Sequence, residues 1–228
     1  MVGSQLGRAD SLRHLYLVRH AEAHKNVEGL QGGVGTGLTL TGEAQARQLG
    51  AYLADRELRH DHKAIVYLHS AEQVRQTATA IANARGWAME EDERLRGLDL
   101  GDLAGLTFAQ ARLVDAEAAD RLSQWALGKL RVDHLNLPGA EDLGGFRQRV
   151  ADCLERVRES FDRSCAVIVG TTSTMIMLQN LLTLGAAFSY ELYRPYPFAN
   201  GSVYEWPFAP ETAKDDPPAF VADGERGR

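Results

Sequence analysis

The chain is poor in cysteine and in long apolar runs, and each shortage excludes a class of protein. It has only two cysteines in 228 residues, Cys153 and Cys165, too few for the disulfide framework of a small secreted domain. No apolar run approaches the roughly 20 residues of a transmembrane helix, and residues 1–11 lack the apolar core of a signal peptide. We therefore expect a reduced, cytoplasmic protein with no membrane partner.

Positive charge is also in short supply. The chain has 25 Lys and Arg against 31 Asp and Glu, a formal charge of −6, which argues against nucleic acid as the main partner. Its hydrophobic content of 44% and charged content of 25% are ordinary for a globular protein. A chain of this length accommodates one α/β domain with a substantial core, and a homo-oligomer is compatible with it.

Strand-like and helix-like segments alternate along the chain. Short apolar runs predict strands at residues 15–18, 64–68, 165–169 and 202–206. Apolar residues at helical spacing predict helices at about 41–55, 71–85, 107–129, 143–160 and 172–184. This alternation is typical of parallel strands joined by helices. We therefore predict an α/β protein, a three-layer α/β/α sandwich with a mostly parallel central sheet.

The same pattern predicts one domain flanked by two tails. The domain covers residues 14–208, and residues 1–13 form an N-terminal tail. Residues 209–228 are polar, contain proline and show no periodicity, which predicts a disordered C-terminal tail.

A reactive pair of side chains stands at the end of the first predicted strand. The run Leu15–Val18 ends in Arg19 and His20, and the chain is then polar as far as Asn26. Open α/β sheets bind ligands beyond the carboxyl ends of their strands. A guanidinium can hold an oxyanion there, and an imidazole can attack or carry a proton. The pattern therefore predicts a site for a small anionic substrate.

We predict neither a metal nor a cofactor. The glycine-rich loop over 31–37 matches neither the dinucleotide fingerprint nor the P-loop, so we interpret it as a mobile loop beside a pocket. His20 and His24 are four residues apart, but no helix or third ligand supports a metal site.

The first motif resembles the signature of the histidine phosphatase (phosphoglycerate mutase-like) superfamily. The residues that carry the likeness are Arg19-His20-Ala21-Glu22 with Asn26, followed by a loop at 37–42, and the likeness extends over about 15–206. It implies that His20 accepts a phosphoryl group and that Arg19 and Asn26 bind it. We include Glu22 among the predicted substrate-binding residues.

In its second motif the family carries an arginine three residues before Gln-Thr-Ala. Anchored on the Gln-Thr-Ala at 76–78, that arginine position falls on Gln73, and a family serine falls on His69. Arg75 lies two residues further along the helix, about 200° round it, and should point elsewhere. We predict that Gln73 and His69 contribute to the substrate site. For His69, and for His134 in a later loop, a displaced acid or base and a surface histidine are both open.

Two more family positions carry unexpected residues. Gly97 stands where the family has a glutamate acid, and Asp99 or Asp102 is a candidate substitute. Thr171 stands where the family has a second histidine. A threonine hydroxyl offers one neutral hydrogen bond and no positive charge. We predict that Thr171 binds substrate, and the alternative is that it only caps the helix that follows.

These replacements leave three functions open. The first is a diverged phosphatase with His20 as nucleophile. The second is a different reaction on the same scaffold, with His20 as acid or base, and the third is a non-catalytic binding protein. Because two cationic contacts and the acid are replaced, we expect ordinary phosphatase activity to be weakened. We favour an atypical phosphatase-like enzyme that acts on a small, phosphorylated or anionic metabolite.

Overall fold

A six-stranded sheet forms the centre of the protein. The computed structural model describes residues 13–32, 35–57, 64–160, 165–208 and 220–221. The strands are β1 (Arg13–Arg19), β2 (Ala64–Leu68), β3 (Ala88–Glu91), β4 (Cys165–Gly170), β5 (Val203–Phe208) and β6 (Phe220–Val221). Their order across the sheet is β3-β2-β4-β1-β5-β6. The pairs β1–β4, β4–β2 and β2–β3 are parallel, and β5 and β6 are antiparallel to their neighbours.

Helices cover both faces of this sheet. They are α1 (His24–Glu28), α2 (Leu40–Glu57), α3 (Glu72–Asn83), α4 (Phe108–Val114), α5 (Ala116–Ala126), α6 (Leu143–Glu159) and α7 (Thr172–Leu184). In β1, Leu15 and Leu17 pack into one apolar cluster with residues of α5, α6 and α7, whereas Tyr16 and Val18 pack into another with residues of α2 and α3. Alternate side chains of a strand point to opposite faces, so the predicted three-layer sandwich is confirmed.

The two central strands, β1 and β4, have a clear apolar pattern in the sequence because both are covered by helices on either face. All six residues of β4 are buried, as expected for a parallel strand covered on both faces. β4 pairs with β1 from Leu15↔Ala166 to Arg19↔Gly170, which brings the carboxyl ends of both strands to the same edge. That edge carries the residues that follow each strand.

Several boundaries differ from the prediction. α2 begins at Leu40 rather than at residue 41, and Thr39 caps it, since Thr39 Oγ1 accepts a hydrogen bond from the Gly42 N–H at 3.0 Å. The helix predicted over 107–129 is two helices, because Asp115 ends α4 and caps α5 by accepting from the Ala118 N–H at 2.9 Å. β3 was not predicted, since its exposed residues carry no apolar pattern.

Part of the predicted C-terminal tail is a strand. β6 pairs with β5 at Val203↔Val221 and Tyr204↔Phe220, a strand for which the sequence pattern gave no indication. Arg13, the last residue of the predicted N-terminal tail, belongs to β1. The remainder of both predicted tails lies outside the described residues, and the domain boundaries stay a prediction. Within the described part of the chain, no helix is long and apolar enough to cross a membrane.

Candidate active site

A cavity of about 1340 Å³ opens at the carboxyl ends of β1, β2 and β4. Each of these strands delivers a residue to it: His20 follows β1, His69 follows β2 and Thr171 follows β4. Six of the seven predicted site residues line this cavity, namely Arg19, His20, Asn26, His69, Gln73 and Thr171. The topology therefore brings together segments that are far apart in the sequence.

His20 is held in one tautomer and in its neutral form. Its ring is 2% exposed, and Nδ1 lies 2.8 Å from the Ala21 carbonyl oxygen. A carbonyl only accepts, so Nδ1 carries the proton and Nε2 keeps its lone pair. Burial lowers the pKa of His20 to about 3 against a smaller raising effect of the Ala21 hydrogen bond, and the neighbouring Arg19 and Lys25 lower it further. A neutral imidazole with a free Nε2 is the nucleophilic form.

Arg19 supplies a cation beside His20. Its Nη1 donates to the Phe198 carbonyl oxygen at 2.5 Å, and the other two guanidinium nitrogens have no partner among the described residues. Burial lowers the pKa of Arg19 to about 10, so it stays charged at neutral pH. A guanidinium with unused donors in a cavity is suited to a phosphate or carboxylate.

Asn26 presents its amide nitrogen to the cavity because its oxygen is used inside the protein. Oδ1 accepts from the Ala23 N–H at 2.9 Å and from Asn200 Nδ2 at 3.0 Å. Asn200 Nδ2 also donates to the His20 carbonyl oxygen at 3.2 Å. Asn200 thus ties Asn26 to the His20 segment and leaves Nδ2 of Asn26 as its remaining donor.

His69 offers a buried donor that has no partner among the residues that the structure describes. Its Nδ1 accepts from the Ala71 N–H at 3.4 Å, which places the proton on Nε2, and Nε2 is buried without a described partner. Burial lowers the pKa of His69 to about 4, and although Glu93 raises it, Arg149 and Lys25 lower it. His69 is therefore neutral at neutral pH, and a bound acceptor would satisfy a group that is otherwise costly to bury.

Gln73 connects the cavity to the glycine-rich loop. The side chain is 1% exposed, and Oε1 accepts from the Thr36 N–H at 3.1 Å. This bond fixes the loop end next to the cavity, and the amide nitrogen of Gln73 remains a donor with no acceptor among the described residues. Arg75 lies on the outside of α3, where it pairs with Glu91 at 2.8 Å, so it points away as expected from the helical rotation.

Gly97 and Thr171 face each other across the cavity wall. Thr171 is the N-cap residue of α7, but its side chain accepts no hydrogen bond from a backbone N–H of the first turn of that helix. Its Oγ1 lies 3.4 Å from Ser173 Oγ. A Cβ atom on Gly97 would lie 2.7 Å from Thr171 Oγ1. The alternative that the Thr171 hydroxyl only caps the helix therefore has no support in the geometry.

Three further candidate acids or bases were named from the sequence, and only Asp99 among them lines the cavity. Asp99 Oδ1 accepts from the Gly101 N–H at 3.0 Å. Asp102 and His134 are exposed and are not among the lining residues. Of the candidates named from the sequence, the fold thus places His69 and Asp99 at the site, where the carboxylate of Glu93 also lines the cavity and accepts from the Ser70 N–H at 2.8 Å.

Glu22 does not join the other predicted residues at the cavity. Its carboxylate accepts from the Thr39 hydroxyl at 2.7 Å, and its N–H donates to Gln45 Oε1 at 2.9 Å. Both partners belong to the start of α2 or the residue before it. Glu22 therefore joins the first motif to α2, and the structure does not place it among the residues that line the cavity.

Lys25 and Arg96 also line the cavity, although neither was predicted from the sequence. Lys25 is 7% exposed, its Nζ donates to the Gly32 carbonyl oxygen, and burial lowers its pKa to about 8. A lysine in a polar stretch looks like a surface residue, so only its place next to Asn26 in the motif gave a signal. Arg96 is exposed at the rim.

Curated relatives of the chain include phosphate-ester enzymes. Phosphoserine phosphatase 1 of Hydrogenobacter thermophilus is 28% identical over 162 residues, 71% of this chain and 72% of its own length. A protein of Erwinia tasmaniensis named "Probable phosphoglycerate mutase GpmB" is 30% identical over 177 residues, 75% of this chain and 76% of its own length. These likenesses extend over most of both chains.

A solved structure and a family model also match this chain over most of its length. The structure of Bacillus stearothermophilus YhfR superposes with a TM-score of 0.70 at 23% identity, over 92% of this chain and 95% of that one, which shows a shared fold. The model of the family described as "Histidine phosphatase superfamily (branch 1)" matches residues 15–214. With the strand-end histidine, the arginine before it and this match over nearly the whole chain, the protein belongs to the histidine phosphatase superfamily.

Proposed function

We propose that this protein is a phosphatase-like hydrolase of a small phosphorylated metabolite, with His20 as the nucleophile. The observation that carries the proposal is the state of His20 beside Arg19. The Ala21 carbonyl holds the proton on Nδ1, burial keeps the ring neutral, and Nε2 is left with its lone pair. The family and the names of the curated relatives support a phosphate ester as the substrate.

In the proposed reaction the phosphoryl group passes through His20. Nε2 forms a bond to phosphorus while the bond between phosphorus and the ester oxygen breaks, and the electron pair leaves with that oxygen. Water then attacks the phosphohistidine, the N–P electron pair returns to Nε2, and inorganic phosphate is released. Arg19 and the amide nitrogens of Asn26 and Gln73 stabilise the charge on the transferring oxygens.

The leaving oxygen takes its proton from water in this proposal. Position 97, where the family resemblance expects a carboxylic acid, is a glycine, and the nearby imidazole of His69 is neutral. Loss of a positioned acid costs about 10²–10⁴-fold in rate. The enzyme should therefore be slow on esters whose leaving group is a poor one.

A second function is favoured by the contact between Gly97 and Thr171. Because the two altered positions fit each other, the pocket is adapted to their present residues rather than damaged at one of them. Such a pocket suits a reaction other than phosphate hydrolysis, or the binding of an anion without chemistry. In the first case His20 acts as acid or base, and in the second His20 is dispensable.

The test compares phosphate release from a panel of phosphomonoesters by the wild type, His20→Ala and His24→Ala. His24 is exposed and does not line the cavity, so its variant controls for the loss of an imidazole from the same motif. We expect hydrolysis by the wild type and His24→Ala only, with acid-labile ³²P incorporated into the wild type from a labelled substrate. Equal rates for all three proteins, or none above background, would overturn the proposal.

A further inference from the structure

Lys25 lies in the interior of the cavity rather than on the protein surface. It is 7% exposed, although its neighbour His24 and two other α1 residues, Val27 and Glu28, are exposed. Lysine is rarely buried to this degree unless its charge is paired. The burial therefore calls for an explanation in terms of a partner.

Among the described residues, Lys25 has a hydrogen-bond acceptor but no carboxylate to pair with its charge. Nζ donates to the Gly32 carbonyl oxygen, and no described carboxylate pairs with it. Its charged neighbour is the cation Arg19, which together with burial disfavours the protonated ammonium. The charge of Lys25 in turn lowers the pKa values of His20 and His69. A buried ammonium and guanidinium side by side are costly unless an anion binds between them.

The family resemblance supplies the reason for a cation here. It places a second arginine at position 73, where this chain has the neutral Gln73. Gln73 and Lys25 both line the cavity. We propose that Lys25 is the second cation of the phosphate site and takes over the charge that Gln73 does not carry. This inference rests on the proposed function, because it assumes that the cavity binds a phosphoryl group.

The chemistry of the ammonium group fits this role. Lysine has three N–H donors on a compact charge, and the Gly32 carbonyl uses one of them. Two donors remain for oxygens of a phosphate dianion. The contact with Gly32 also places Lys25 beside the glycine-rich loop, so the same side chain fixes the loop and faces the ligand.

The first experiment measures binding of inorganic phosphate by titration calorimetry at pH 7.5. It compares the wild type with Lys25→Met, Arg19→Gln and Lys129→Met. Lys129 is exposed and outside the cavity, so its variant repeats the same loss of charge elsewhere. We expect Lys25→Met to bind phosphate about tenfold or more weakly, and Lys129→Met to bind like the wild type. Circular dichroism of each variant checks that it is folded.

The Arg19→Gln variant separates the two proposals. If Arg19→Gln loses phosphate and Lys25→Met does not, the role of Lys25 is overturned while the phosphate site stands. If neither variant changes the affinity, or the wild type binds no phosphate, the proposed function fails and the role of Lys25 fails with it. A loss in Lys25→Met that Lys129→Met does not share supports the inference.

A second measurement works even if Lys25→Met does not fold. Sulfate keeps its charge between pH 7 and pH 9, so its affinity for the wild type reports on the protein. The groups facing Lys25 are Arg19, His20 and His69, with Glu93, Arg96 and Asp99 on the cavity wall. The pKa of Lys25 is lowered to about 8, so its ammonium group loses its proton between pH 7 and pH 9. We therefore expect sulfate to bind several-fold more weakly at pH 9 than at pH 7. Lys25→Arg should remove this dependence, because a guanidinium stays charged over that range. Constant wild-type affinity over that range would overturn the inference.

Discussion

Gly97 and Thr171 occupy mutually dependent positions: a Cβ atom on Gly97 would stand 2.7 Å from Thr171 Oγ1. Gly97 lies in the segment after β3, and Thr171 is the residue immediately before α7, yet the fold brings them together at the cavity. These are also two of the four positions, with His69 and Gln73, at which the chain differs from the residues that the family resemblance leads one to expect. Their substitutions are therefore coupled through space.

The contact predicts a coupled effect on stability. Gly97→Ala should lower the free energy of unfolding by about 1–3 kcal/mol, because its methyl group meets the Thr171 hydroxyl. In a Thr171→Ala background the cost should fall, since the nearest remaining oxygen is Ser173 Oγ at 3.2 Å. Urea unfolding of the two single variants and the double variant measures the coupling.

Gly145 provides the control for this cycle. A Cβ there meets only Asp142 Oδ2, at an ordinary 3.8 Å, and the residue lies in the first turn of α6. Gly145→Ala should be neutral or stabilising by about 0.5–1 kcal/mol, with or without Thr171→Ala. Strict additivity of Gly97→Ala and Thr171→Ala would contradict the coupling.

Thr171→Val should change ligand binding more than stability. The Thr171 side chain does not cap α7, so we expect the free energy of unfolding to stay within about 0.5 kcal/mol of the wild type. Asp142→Ala is the matched variant, because Asp142 Oδ2 does accept from the Gly145 N–H at 2.9 Å, and its loss should cost about 1 kcal/mol. Thermal or urea unfolding compares the two, and an equal cost would show that Thr171 acts as a cap.

Stability should fall as the pH drops below the ordinary range of histidine. Burial lowers the pKa of His20 to about 3 and that of His69 to about 4 in the folded protein, whereas both are near 6.5 in the unfolded chain. The unfolded state therefore binds more protons. This contribution is complete above pH 6.5, and it is lost as the pH falls to about 4 for His69 and to about 3 for His20. Each histidine contributes a slope of up to about 1.4 kcal/mol per pH unit.

Urea unfolding at several values between pH 7.5 and pH 5 measures this slope. His69→Gln should reduce it to about half, because one of the two buried imidazoles is gone. The carboxylate Asp92, whose pKa is lowered to about 2 mainly by its hydrogen bond from Arg94, adds its own loss only below about pH 4. A stability that is flat from pH 7.5 to 5 would refute the assignment of neutral buried histidines.

Arg149 should be one of the more costly positions to truncate. Its guanidinium pairs with Glu141 at 2.6 and 2.7 Å, and it donates to the carbonyl oxygens of Arg94, Arg96 and Gly97. These bonds hold the segment that ends in Gly97. Because hydrogen bonds to charged groups contribute about 1.5–3 kcal/mol, Arg149→Met should lower the free energy of unfolding by at least about 2 kcal/mol.

Arg112→Met is the comparison for Arg149→Met. Arg112 also forms an ion pair, with Asp120 at 2.7 Å, but both side chains are more than half exposed, at 60% and 56%. Such a pair contributes at most about 1 kcal/mol. Similar costs for the two variants in urea unfolding would mean that the contacts of Arg149 do not secure the Gly97 segment.

The rate of hydrolysis should depend strongly on the leaving group. Without a carboxylic acid at Gly97, the departing oxygen carries its charge in the transition state, so esters of acidic phenols should react much faster than esters of simple alcohols. A plot of log kcat/KM against leaving-group pKa for a series of aryl and alkyl phosphates measures this. A flat plot with chemistry as the slow step would indicate a general acid, and His69→Gln and Asp99→Asn would then identify it.

The sequence by itself determined the elements that carry their own local signal. The apolar run of β4 and the alternation of strands and helices predicted the three layers, since a strand buried on both faces is apolar throughout. The Arg19-His20 pair at a strand end predicted where the cavity lies, because parallel strands place their carboxyl ends at one edge. β3 was not predicted, because its residues are mostly exposed and therefore form no apolar run.

Only the tertiary structure decided which side chains share the cavity and in what state. Lys25 and Glu22 lie in the same polar stretch, yet the fold buries Lys25 in the cavity and turns Glu22 towards Thr39. Gly97 and Thr171 meet although they are distant in sequence. Nε2 of His69 is buried with no partner among the described residues because of the elements that pack around it. Protonation and burial depend on every neighbour in space, and residue order alone does not specify those neighbours.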